Sequence, residues 1–283
     1  MSKNDRINNK LMSGYLDRIG AGKILVNKEP ISFDWTPNNL VGRDKELSEL
    51  ASMFSHIENH NSSCRAVITG PVGSGKTVLS KRFGHDLLKH LEGQRKISYS
   101  HVNCRTNPST SQVLQQIAKS LDSGHPERGL SSGEIIQSIR RNLMTHNNHL
   151  LLVLDEVDVL VRRDNFDLIY KLLRIDESQE GQGSLSLILV SQDSMLLKLF
   201  EPAIISRLGA SNVLQLKPYN KKGLIEIARQ RADIACRSGS ISEEILEKIG
   251  TIASDSGDAR LAIELLDSSI RKAESAGRGE VLI

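Results

Sequence analysis

The chain has 283 residues, 39% hydrophobic and 25% charged, which leaves room for one large soluble domain or two small ones. No apolar stretch approaches a membrane span, and the N-terminal MSKNDRINNK lacks the apolar core of a signal peptide. Three scattered cysteines (Cys64, Cys104 and Cys236) make neither a disulfide framework nor a metal site, which suits a reducing cytoplasm, and a net charge of +3 does not by itself imply a polyanion partner.

Residues 1–30 are polar and mildly basic, with Lys3, Arg6, Lys10, Arg18, Lys23 and Lys28, and are expected to be a tail or loosely docked arm. A helical pattern near 44–58 and a polar loop at 59–63 precede the apolar run 66–69, which predicts a buried strand. Residues 70–77 read Gly-Pro-Val-Gly-Ser-Gly-Lys-Thr, and Leu79, Phe83, Leu87 and Leu91 then recur at helical spacing. A glycine-rich turn between a strand and a helix N-terminus leaves backbone N–H groups and the positive end of the helix dipole free to wrap an anion. Pro71, Val72, Gly73, Ser74 and Gly75 would line that cradle. Lys76 would reach the β- and γ-phosphates, and the Thr77 hydroxyl is placed to ligate Mg2+.

The run 97–103 predicts a second strand, with helices near 110–121 and 132–145 and a polar loop at 122–133. Leu150-Leu151-Leu152-Val153-Leu154 predicts a third, ending in Asp155, Glu156 and Asp158. Ligands of open α/β sheets bind at the carboxyl ends of strands. Asp155 is therefore expected beside the phosphate loop, holding Mg2+ directly or through water. Glu156 would deprotonate a water for attack on the γ-phosphate, which separates a hydrolase from a simple nucleotide kinase. A helix near 165–175 and a polar loop at 177–184 lead to the strand 185–190. Gln192, just after it, could help position the water or be ordinary turn chemistry. A helix near 194–199 follows. Arg207 ends a largely apolar segment, where an exposed arginine is by default plain surface. The run 213–216 predicts the fifth strand. Strands alternating with helices over 31–217 predict an α/β domain: a five-stranded parallel sheet flanked by helices.

After residue 217 the strand signal ends. Helices near 220–237, 242–253 and 258–275 predict a small all-helical domain over 218–283. Ser240 and Glu243 have capping-box spacing for the second helix, and Asp258 suits the head of the third. Arg260 sits in that helix's first turn, against the local dipole, a conflict that tends to mark function.

Together these residues resemble the AAA+ ATPases, and within them the initiator clade of archaeal and eukaryotic origin-recognition and cell-division-control proteins, from about Phe33 to Ala276. Leu40-Val41-Gly42-Arg43-Asp44 is similar to the segment that touches adenine, which implies nucleotide contacts for Val41, Gly42 and Arg43. Asp155-Glu156-Val157-Asp158 resembles the Walker B sequence. Ser206-Arg207-Leu208-Gly209 is similar to the arginine-finger box, which makes Arg207 a candidate catalytic residue acting on a neighbour's nucleotide. Lys217-Pro218-Tyr219-Asn220 resembles the junction that opens the lid, and Arg231-Ala232 matches a frequent pair further along it. Gly257-Asp258-Ala259-Arg260 resembles the sensor-2 signature, so that Tyr219, Ala259 and Arg260 join the nucleotide contacts. Gln192 stands where the family usually has a sensor-1 Asn.

The resemblance implies ATP or ADP with Mg2+ between the two domains and slow hydrolysis. It implies an ATP-controlled switch in DNA replication initiation, acting in origin recognition and helicase loading. The implied partners are origin DNA, the replicative helicase or other initiator subunits, and further copies in an ATP-dependent oligomer. The implied setting is the cytoplasm, at the nucleoid, or the nucleus of a eukaryote, with no membrane. The family's winged-helix DNA-binding domain would begin where this sequence stops, so origin DNA is expected to be bound through a winged helix absent from it. A second DNA contact is expected near 104–112, where Arg105 is the only cation. The rival expectations are another DNA-transaction regulator, such as a transposition targeting ATPase, or a signalling ATPase switch without a DNA role.

Overall fold

The structure, a computed structural model, describes residues 22–59, 62–163, 166–175 and 183–282. The cations Lys3, Arg6, Lys10 and Arg18 and most of the polar loop at 177–184 lie outside them. The chain divides into two compact units, Gly42–Lys217 and the described parts of Met1–Val41 with Pro218–Ile283.

In the first unit the elements run α1 (Asp44–Met53), β1 (Arg65–Thr69), α2 (Lys76–His90), β2 (Ile97–Asn103), α3 (Thr110–Leu121), α4 (Ser132–Thr145), β3 (His149–Asp155), α5 (Asp158–Val161), α6 (Phe166–Leu173), β4 (Ser184–Ser191), α7 (Pro202–Leu208) and β5 (Val213–Gln215). The sheet has five strands in the order β2-β3-β4-β1-β5, and every pairing is parallel. β3 and β4 are buried along their whole length, as strands covered on both faces must be. Leu150, Leu152, Leu154, Leu185, Leu187 and Leu189 form one core face with the apolar residues of α3, α4 and α6. Leu151, Val153, Ile188 and Val190 on the alternate positions are equally buried.

Ser109 with Gln112 and Ser131 with Glu134 make the capping boxes that start α3 and α4. α5 and α7 have no counterpart in the sequence expectations. α5 is one turn long, and α7 starts at Pro202, which suits the first helical position. The pattern at 194–199 forms only a 3-10 turn, Leu196–Leu199.

The amino-terminal edge of the sheet buries a polar cluster. His149, with no exposed surface, lies 2.6 Å from Ser184 Oγ through Nδ1 and 3.0 Å from Ser186 Oγ through Nε2. Arg95 donates to Ser184 Oγ at 2.6 Å and to the carbonyl of Ile57 at 2.5 Å. Burial, and then the Arg95 charge, push the His149 imidazole down from 6.5 to about 3. The unfolded chain takes up a proton that the folded chain refuses, so His149's contribution is fully present above pH 6.5 and is lost as pH falls toward 3. The expected loss is about 1.4 kcal/mol per pH unit in that window. Urea unfolding at about pH 7.5 and about pH 5 checks this, with His149→Gln expected to flatten the dependence. An equal slope in the variant would assign the effect to other groups.

The second unit contains a 3-10 turn (Glu29–Ile31) and helices α8 (Lys221–Ala235), α9 (Glu243–Ser254) and α10 (Ala259–Ser275). Its core is built from Leu224, Ala228, Leu246, Ile249, Leu266 and Ile270, and Ile24 belongs to it. Two expectations are corrected here. Residues 22–30 are a docked strap, not a loose arm, and 31–41 pack with the helices and not with the sheet. The reason is hydrogen bonding. Glu274 accepts from the backbone N–H of Ile24 and Leu25 at 3.0 and 2.9 Å, and Leu25 bridges Cys236. Buried Arg231 donates to the carbonyls of Pro30 and Ser32, with its guanidinium 4.9 Å from the Trp35 ring centroid. The capping box at Ser240 is also corrected. Ser242, not Ser240, is the N-cap and makes no side-chain cap bond, while the Ser240 hydroxyl donates to the carbonyl of Arg237 at 2.6 Å. Among the described residues no helix is long and apolar enough to cross a membrane.

Candidate nucleotide site

The phosphate loop leaves β1 at Gly70, where a Cβ would stand 2.6 Å from the carbonyl oxygen of Leu216. Only glycine allows that approach. Gly75, at φ 89°, is the N-cap of α2, so the chain turns through the left-handed region into the helix that begins at Lys76. The Lys76 ammonium donates to the loop carbonyls of Gly70 and Pro71, each at 2.8 Å, and Ser74 Oγ donates to Pro71 at 2.9 Å. Pro71 and Val72 are exposed at the tip. Arg43, expected to touch the nucleotide, braces this loop through its guanidinium. It is 4% exposed and donates to the carbonyls of Ser74 and Lys217, each at 2.8 Å, while pairing with Glu46.

The strand order brings the end of β3 to the loop. Thr77 Oγ1 donates to Asp155 Oδ2 at 2.7 Å, and the N–H of Glu156 donates to Oδ1 at 2.9 Å. Burial pushes the Asp155 carboxyl up, but the hydrogen bonds from His101 and Thr77, with the His101 charge and the Glu156 N–H, outweigh it and hold the group below its usual value. An ionised carboxylate and a hydroxyl are the hard oxygen donors that Mg2+ takes, so these two residues fit the ion.

Glu156 occupies the left-handed region at φ 54°, unusual for a residue with a side chain and a form of strain found at functional turns. Its Oε2 lies 2.5 Å from Arg105 Nε. The residue expected as a DNA contact is thus paired with the candidate base. Asp158 accepts from Ser191 Oγ and from the N–H of Gln192 at 3.1 Å, and the N–H of Val157 donates to the carbonyl of Val190 at 3.0 Å. These bonds seat exposed Gln192 beside the Asp155–Asp158 turn.

Arg207 ends α7, half-buried, with its guanidinium 5.9 Å from the Tyr170 ring centroid of α6. Val41, Tyr219, Ala259 and Arg260 belong to the helical unit. Within it the N–H of Tyr219 donates to the carbonyl of Gly257 at 3.1 Å, which ties the Pro-Tyr junction to the start of α10. The Asp258 side chain accepts from the N–H of Arg260 at 2.7 Å, and Arg260 is exposed in the first turn.

Sequence reasoning did not find Tyr99 and His101 on β2. His101 Nε2 lies 3.2 Å from Asp155 Oδ2, and Tyr99 OH lies 3.1 Å from His101 Nδ1. Their spacing of two on a strand was the available signal.

Two family profiles match the chain: an AAA domain over residues 61–200 and a Cdc6 AAA+ ATPase-type lid domain over residues 225–283. The ORC1-type DNA replication protein of Desulfurococcus amylolyticus is 31% identical over 265 residues, 93% of this chain and 67% of that protein. ORC1-type DNA replication protein 1 of Sulfolobus acidocaldarius is 28% identical over 269 residues, 95% of this chain and 67% of that protein. The solved structure of the Aeropyrum pernix ORC1 protein in complex with DNA superposes with a TM-score of 0.83 at 26% identity, covering 92% of this chain and 68% of that one.

Proposed function

This chain belongs to the ORC1-type DNA replication proteins, a family of AAA+ ATPases, and from that premise we propose that it is a slowly hydrolysing, ATP-controlled switch in replication initiation. The observation that carries the proposal is the Thr77–Asp155 hydrogen bond, which joins a complete phosphate loop to a strand-end carboxylate. Phosphate oxygens of ATP or ADP replace Gly70 and Pro71 as the partners of Lys76, and the N–H groups of residues 73–77 complete the cradle. Thr77 and Asp155 would hold Mg2+, which would supply charge neutralisation on the phosphates. Glu156 takes the proton of the attacking water, and Gln192 orients that water. Arg260 serves as a nucleotide sensor on the lid.

Slow turnover follows from the Arg105–Glu156 pair, which occupies the base, and from the long amide at Gln192. The proposed partners are origin DNA, other initiator subunits and the replicative helicase. A DNA phosphate that engages Arg105 would release Glu156, which would give DNA a route to the chemistry. The lid match at 225–283 favours this function over a transposition targeting ATPase or a signalling switch.

Lys76→Ala tests the proposal. Calorimetry is expected to record a loss of ATP and ADP affinity of roughly 100-fold or more, since a charge-assisted contact to two phosphates is removed. The melting temperature should stay close to the parental one. Parental nucleotide affinity in the variant would overturn the assignment.

A further inference from the structure

β2 lies beside β3 with Asn103 in register with Asp155, so the alternate residues His101 and Tyr99 run back along the strand from the carboxylate. His101 is nearly buried, and its ring is fixed at both nitrogens, by Asp155 Oδ2 at 3.2 Å and by the Tyr99 hydroxyl at 3.1 Å. Tyr99 is itself locked. A Cβ at Gly84 of α2 would stand 2.4 Å from its ring carbon Cε2, and the His85 ring packs edge-on at 5.7 Å. Burial, and then the Asp155 charge, hold the phenol protonated. An ionised carboxylate only accepts, so Nε2–H donates to Asp155, and the Tyr99 hydroxyl holds the ring from its other nitrogen.

Asp155 Oδ2 also accepts from Thr77. The Thr77 oxygen and the carboxylate are the proposed ion ligands. The imidazole is the donor from a third element that fixes the plane of the carboxylate. Such partners of metal-ligating groups commonly set ion affinity. We propose that His101, oriented by Tyr99, is a positioning residue for Asp155 that sets the affinity of the site for the nucleotide's divalent ion without touching the nucleotide. This rests on the nucleotide-binding function proposed above.

The test uses the whole chain and Mn2+ as the probe, with affinity read from its spin-resonance signal in the ADP-bound protein and ADP binding measured separately in chelator. His101→Leu is expected to weaken Mn2+ binding roughly 10- to 100-fold while metal-free ADP affinity holds. His101→Gln, which presents an amide N–H near the Nε2 position, should recover most of the loss. Tyr99→Phe, which keeps the ring and removes the hydroxyl, should fall between. Parental Mn2+ affinity in His101→Leu would overturn the inference. So would an equal loss of metal-free ADP binding, or a folded His101→Gln that recovers nothing. Should the unmutated chain bind no nucleotide at all, the nucleotide function itself fails. Should it bind ADP and Mn2+ while the variants match it, only the His101 assignment falls.

Discussion

Glu156→Gln is expected to lower ATP hydrolysis by roughly two to four orders of magnitude while ATP stays bound, because a general base of this kind contributes about that much. The amide keeps the size of the side chain and leaves the Thr77–Asp155 pair intact. The backbone at φ 54° is a property of the turn and should persist. Arg105→Ala has the opposite sign. The pair it breaks has one partner 70% exposed, so holding the carboxylate is worth at most about 1 kcal/mol. Releasing it should raise the basal rate by no more than about five-fold. Single-turnover hydrolysis with excess protein reads both. A Glu156→Gln chain that hydrolyses ATP at the parental rate would remove Glu156 from the chemistry.

Arg207→Ala is expected to leave nucleotide binding in dilute protein untouched and to abolish the rate gained on assembly, roughly 10³- to 10⁵-fold for a residue of this kind. The arginine packs on its own chain's Tyr170, at 5.9 Å from the ring centroid. Such a contact is worth about 0.5–1 kcal/mol at an exposed site, little against the several kcal/mol that a finger supplies in the transition state. Mixing an Arg207→Ala chain with a Lys76→Ala chain is the decisive measurement. The first keeps an intact phosphate site and the second keeps an intact finger, so activity should return only in the mixture. If Arg207→Ala weakens ATP binding in dilute protein, the finger does not act in trans.

Most of the nucleotide-binding unit was legible because its signals are local. The phosphate loop needs glycine where the chain enters αL and where Gly70 meets the Leu216 carbonyl, and no other residue type serves there. The strands at 66–69, 97–103, 150–154, 185–190 and 213–216 lie within a residue or two of β1 to β5, and β3 and β4 stand out most because a strand covered on both faces must be apolar without a break. α5 and α7 escaped notice because four- and seven-residue helices carry too few turns for a period to emerge.

What periodicity could not reach was anything settled by contact between distant segments. Residues 22–30 read as part of a polar arm and 31–41 as the start of the α/β domain, yet their backbone donors and carbonyls are claimed by Glu274 and Arg231, some 200 to 250 positions away. Arg43 sits in a motif expected to touch the nucleotide, and the bonds from its guanidinium to the carbonyls of Ser74 and Lys217 were not legible. Arg105 is expected as a DNA contact, and the order β2-β3-β4-β1-β5 also sets it against Glu156. The same order put the Tyr99–His101 pair beside Asp155. Residue type and local spacing determine which groups a strand or turn carries to its end. Which other group waits there depends on strand order and packing, and those are decided by burying the apolar faces of the whole unit at once.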